Sequence, residues 1–108
     1  MNENIFDRLF AVIESRKDED IEKSYVARLM HKGVPKINEK ILEEAAEVAE
    51  AALAEDKDHL VYEICDLLFH TFVMAGYKNI SLDQIEQELN RRFGKSGLVE
   101  KAERANKD

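Results

Sequence analysis

One cysteine, one proline and four glycines in 108 residues leave this chain few means of punctuating or cross-linking itself. A single thiol, Cys65, excludes an internal disulfide and any multi-thiolate zinc site, and it suits a reducing cytoplasm. Because Cys65 lies inside an apolar run, it is expected to be a buried free thiol acting as a small hydrophobe. Basic charge is also short, with 16 Lys and Arg against 23 Asp and Glu and a net charge of −7. A general nucleic-acid binder needs a basic footprint, so that class is excluded, whereas a surplus of acid suits a collector of divalent cations. The first eight residues contain no cationic stretch leading into an apolar one, so no signal peptide is expected. The 60–76 run is expected to be too short and too acidic for a membrane span.

What is present reads as all-α. No stretch alternates with period two, and apolar residues recur at helical spacing along the chain. The expectation is one domain over 1–108, with its core at about 5–94 and a polar tail over 95–108. Helices are predicted over 3–14, 24–31, 36–54, 58–76 and 82–93, with a frayed one near 98–106. Ser24 can cap the second, Gly33 and Pro35 end it, Asp56 and Asp58 can cap the fourth, and Ser81-x-x-Gln84 is a capping box for the fifth. This makes a bundle of four to five helices around a long antiparallel hairpin, closed by a short turn near 55–58. On 36–54, Ile37, Ile41, Ala45, Val48 and Ala52 form one apolar stripe, and Leu42, Ala46, Ala49 and Leu53 a second. Together they cover about half the circumference, too much for one neighbour, and 60–76 is apolar on nearly every side. A small domain has little capacity to bury so much, so a homodimer is expected.

Two acidic motifs carry the chemistry. Glu43-Glu44-x-x-Glu47 alone reads as an ordinary wet helix face, with Glu44 and Glu47 bordering the core and Glu43 further round. Glu63-x-x-Asp66 is different, since it forms a stripe with His70 in an otherwise apolar helix. Unpaired carboxylates buried there cost on the order of several kcal/mol each, so they need a cation. Across the hairpin, Glu44 and Glu47 face Asp66 and Glu63, and an all-oxygen cluster selects a hard ion, Mg²⁺ or Mn²⁺. A di-iron bundle wants Glu-x-x-His pairs, and this chain has none. The plainer alternative is that the carboxylates pair with Lys or Arg in the core. His70 reads as a satisfied core histidine rather than a neighbour of the ligands. Lys36 and Lys40 precede the first motif, and Arg91-Arg92-Phe93-Gly94-Lys95-Ser96-Gly97 follows the last long helix. Such cations and backbone amides can cradle phosphates.

These strings, with Ser24-Tyr25-Val26-Ala27-Arg28-Leu29 and Asp66-Leu67-Leu68-Phe69-His70, resemble the all-α NTP pyrophosphohydrolases, the MazG-like and dimeric dUTPase superfamily. Within it, the Arg-Arg-Phe-Gly-x-Ser-Gly string is similar to the phosphoribosyl-ATP pyrophosphohydrolase family of histidine biosynthesis. The resemblance covers about 5–105. Leu42 and Phe69 depart from its pattern, where glycine and tyrosine are usual. It implies a cytoplasmic, helical-bundle homodimer that hydrolyses phosphoribosyl-ATP to phosphoribosyl-AMP and pyrophosphate. It further implies that Glu44, Glu47, Glu63 and Asp66 ligate Mg²⁺, that Glu43, Glu44 and Glu47 serve catalysis, and that Lys36, Lys40, Arg91, Arg92, Lys95 and Ser96 bind substrate. Neither nucleic acid nor membrane is an expected partner. The competing readings are a house-cleaning nucleoside triphosphate pyrophosphatase of the same fold and a non-enzymatic helical dimerisation module.

Overall fold

The computed structural model describes residues 3–93 and 97–106, and within them every regular element is a helix, with no strand. Six helices follow in order: α1 (Ile5–Arg16), α2 (Tyr25–Lys32), α3 (Val34–Ala51), α4 (Lys57–Tyr77), α5 (Leu82–Phe93) and α6 (Gly97–Asn106). The caps explain the boundaries. Asn4 and Asp7 form a capping box on α1, Ser24 Oγ accepts from the Ala27 amide, and Asp56 accepts from the His59 amide. Ser81 and Gln84 exchange hydrogen bonds at the start of α5, as their spacing predicts.

Pro35 opens α3 instead of closing α2, because proline is tolerated where a first-turn N–H has no partner anyway. The break between the two helices falls on Gly33 alone, at φ +80°. α3 accordingly begins two residues earlier than the spacing predicts and stops at Ala51. In the tail α6 falls where a helix near 98–106 is expected, with every described side chain exposed.

The core is built where α1, α2, α3 and α4 meet. Ile13, Val26, Leu29, Ile37, Phe72 and Val73 form it, with Leu9, Phe10, Ile41 and Phe69 packed around. Phe72 meets Phe10 at 4.8 Å and Phe6 edge-on at 5.8 Å. α3 and α4 are the most extensively packed pair, α2 closes over α3, and α5 packs chiefly on α1. α5 buries none of its residues.

Much apolar surface stays uncovered within one chain. On α3 Leu42 is 71% exposed, and just past its end Leu53 is 88% exposed. α4 is not buried all round, because Val61, Tyr62, Ile64 and Leu68 face outward and so does Cys65. The cause is the same in both cases. The other helices of one chain are too few to cover the circumference of either long helix. α4, at 21 residues, is also long and apolar enough by length and composition to cross a membrane, so the argument from shortness does not hold. A third of that stretch (33%) is buried inside the bundle.

Candidate metal centre and active site

α3 and α4 bring carboxylates together where they pack. One oxygen each from Glu44, Glu63 and Asp66 lie within 4.8 Å of one another. Glu44 is 6% exposed and Glu63 5% exposed, while Asp66 is half-buried. Both acidic motifs contribute because positions 44 and 47 on α3, and 63 and 66 on α4, are one turn apart and face the neighbouring helix.

The electrostatics of this cluster are unfavourable for anions. Burial raises the pKa of Glu44, and the neighbouring charges of Glu47 and Asp66 raise it further against His70 and Lys40. Glu63 is raised first by a hydrogen bond shared with the Glu47 carboxyl, then by burial and by the Glu47 charge. Among the described residues, Glu44 Oε2 and Glu63 Oε2 are buried without any hydrogen-bond partner. Protein cations do not fill the gap: Lys40 Nζ stands 3.9 Å from Glu44 Oε1, and His59 Nε2 3.9 Å from Glu63 Oε1. Both exceed hydrogen-bond length. The long ion pair from Lys40 reaches Glu44 Oε1 and leaves both Oε2 atoms without a hydrogen bond among the described residues. An oxygen-rich, unpartnered, mutually repelling set fits a hard divalent cation.

The remaining sequence-derived residues fall into three groups. Glu47 is exposed, touches Glu63, and lines an open groove of about 430 Å³ with Glu50, Ala51, Ala54, His59 and Glu63. Glu43 is exposed, with Lys40 Nζ at 3.8 Å. Lys36 pairs with Glu39 at 3.1 Å on the same helix. Burial works to lower the Lys40 pKa, but Tyr25, Glu43, Glu44 and Glu47 outweigh it, so the ammonium is held more firmly charged.

Arg91 and Arg92 lie at the end of α5. Both grip Glu88 one turn back, at 2.7 and 2.8 Å, and hold its carboxyl down at about 2. The helical i,i+3 and i,i+4 geometry supplies that partner before any ligand does. Lys95 and Ser96, with Gly94, lie outside the described residues.

Two residues escaped the reading by spacing. His59 is an i,i+4 neighbour of Glu63, a signal that was available. Tyr25 opens α2 and reaches α4, where its hydroxyl lies 2.8 Å from His70 Nε2. His70 Nδ1 in turn lies 2.8 Å from the Asp66 carbonyl. A carbonyl only accepts, so Nδ1 carries the proton, and in the neutral ring Nε2 accepts from Tyr25. His70 is thus a satisfied core histidine, as expected, 4% exposed.

With this geometry in view, comparison with known proteins is direct. The family model described as phosphoribosyl-ATP pyrophosphohydrolase matches residues 6–93. The chain is 47% identical over 103 residues to the phosphoribosyl-ATP pyrophosphatase of Ruthia magnifica, covering 95% of this chain and 98% of that protein. It is 46% identical over 104 residues to that of Geotalea daltonii, covering 96% and 98%, and 50% identical over 101 residues to that of Erythrobacter litoralis, covering 94% and 97%. A match of this extent, over the helices that assemble the carboxylates, leaves one assignment: the chain belongs to the phosphoribosyl-ATP pyrophosphohydrolase family.

Proposed function

We propose that this protein hydrolyses phosphoribosyl-ATP to phosphoribosyl-AMP and pyrophosphate, a step of histidine biosynthesis, with Mg²⁺ or Mn²⁺ bound at Glu44, Glu63 and Asp66 and completed by Glu47. The observation that carries the metal is the pair of buried carboxylate oxygens, Glu44 Oε2 and Glu63 Oε2, that have no hydrogen-bond partner among the described residues. The ion supplies charge neutralisation of the triphosphate and polarisation of the anhydride under attack. The chain does the rest. Lys36 and Lys40 sit on α3 ahead of the acidic motif and hold phosphate oxygens as charge develops. Their present partners are carboxylates, which a phosphate can replace. The attacking water must lose a proton, and Glu43 and Glu47 are the exposed carboxylates of the motif that can take it. Arg91, Arg92, Lys95 and Ser96 are proposed to bind the substrate once Glu88 releases the two arginines.

The same reading makes α3 and α4 an antiparallel hairpin within a single domain, and two chains a homodimer across their exposed apolar stripes. It places the enzyme in the cytoplasm. The deciding experiment is an assay of the purified chain on phosphoribosyl-ATP beside a panel of nucleoside triphosphates, with Mg²⁺ and with excess EDTA. Turnover of phosphoribosyl-ATP that stops in EDTA is expected. A preference for other triphosphates would move the chain to a house-cleaning role, and full turnover in EDTA would remove the metal.

A further inference from the structure

We infer that Tyr25 is a fixed aromatic platform on which the purine base of the nucleotide stacks while its phosphates lie against Lys36, Lys40 and the carboxylate cluster. The inference rests on the nucleotide reading above and adds a base subsite to it. Tyr25 is 45% exposed, yet it is held at three points. Its hydroxyl is fastened to His70 Nε2 at 2.8 Å. One face stacks on Phe69, with centroids 6.2 Å apart and planes 18° from parallel. The His70 ring meets it edge-on at 5.7 Å. His70 is itself anchored, through the Asp66 carbonyl, to the helix that carries the candidate ligands.

A surface tyrosine normally keeps its rotamer freedom and loses it on binding. Here that entropy is already spent in folding, which is what a stacking partner needs. The position fits too. The Tyr25 hydroxyl connects through His70 to the backbone of Asp66, a candidate ligand, and lies in the field of Lys40, Glu44, Lys36 and Asp66. An aromatic ring beside such a group matches a ligand with a flat base joined to phosphates. It also gives Phe69 and the buried His70 a shared purpose as positioning residues.

The test compares two probes in Mg²⁺ by calorimetry: the α,β-methylene analogue of ATP, which carries a base, and inorganic tripolyphosphate, which does not. Tyr25→Leu is expected to weaken the analogue by about tenfold to a hundredfold and leave tripolyphosphate unchanged. Tyr25→Phe and His70→Ala, which keep the ring but loosen it, are expected to fall between. In wild type, adenine protons should move upfield in the NMR spectrum on binding and show contacts to a tyrosine ring. If Tyr25→Leu weakens both probes equally or neither, or changes the oligomeric state in sedimentation, the platform is overturned while the enzyme reading stands. If wild type binds neither probe, the platform is overturned, and the enzyme reading is judged separately by turnover of phosphoribosyl-ATP.

Discussion

Glu44 and Glu63 are the residues where folding runs against electrostatics. Each has its carboxyl pKa raised, Glu44 by burial first and Glu63 by its hydrogen bond with Glu47 first. A carboxyl whose native pKa lies above its unfolded value near 4.5 favours the folded state at low pH. That contribution is full below 4.5 and is lost as pH rises through the raised native value. The metal-free protein should therefore melt at higher temperature as pH falls from neutral toward 4.5. Glu88, held down at about 2, does not oppose this, because its contribution is lost only at more acid pH. Glu44→Gln should flatten the trend, which separates this residue from the general relief of a net charge of −7. The same variant should stabilise the metal-free protein by about 1 kcal/mol, since an amide of equal shape removes a buried charge. With Mg²⁺ the order should reverse, because only the wild type gains binding energy from the ion. Thermal melts in EDTA and in Mg²⁺ read both effects. A Glu44→Gln protein that melts well below wild type in EDTA would mean that a cation of the chain already serves Glu44.

Helix by helix, local chemistry governs the boundaries. Gly33 at φ +80° separates α2 from α3, and an added Cβ would meet Tyr77 Oη at 3.4 Å, an ordinary contact. Space is thus not the constraint and backbone conformation is. Gly33→Ala should cost at least about 1 kcal/mol, seen as a lower urea midpoint. A midpoint equal to wild type would show that this joint adapts freely. α5 presents a different case. Its two arginines are satisfied by Glu88, so their use in binding requires an exchange of partners. Arg92→Ala is expected to raise KM for phosphoribosyl-ATP by about tenfold while leaving Mg²⁺ affinity unchanged. Unaltered kinetics would confine Arg92 to holding Glu88. The pairing is legible in the sequence as Glu88 three and four residues before the arginines.

As a whole, one chain is larger than its mass warrants. Its radius of gyration is 16.4 Å, against about 13 Å for a compact domain of this length. It exposes 8173 Å², where a compact monomer of its mass would expose about 6200 Å². The excess is of the order that an obligate interface buries on two partners. Leu42, Leu53, Val61 and Tyr62 contribute to it. Sedimentation should give twice the 12.5 kDa chain mass at micromolar concentration. Val61→Glu should shift that species toward monomer, and a wild type that sediments at the chain mass would refute the dimer.

The sequence by itself determined the helical class, the caps and the grouping of acids into two one-turn motifs. These depend on neighbours three or four residues apart, and a helix makes such neighbours touch. The apolar periodicity also identified which stripes seek cover. It could not say whether cover comes from the same chain: Leu42 and Leu53 lie exposed within one chain, and so does Cys65, which was expected to be buried. Only the tertiary structure decided that Glu44 converges on Glu63 and Asp66 more tightly than Glu47 does, and that Tyr25 on α2 reaches His70 on α4. Those facts belong to residues 19 to 45 positions apart, and helix packing alone sets how far apart such residues stand.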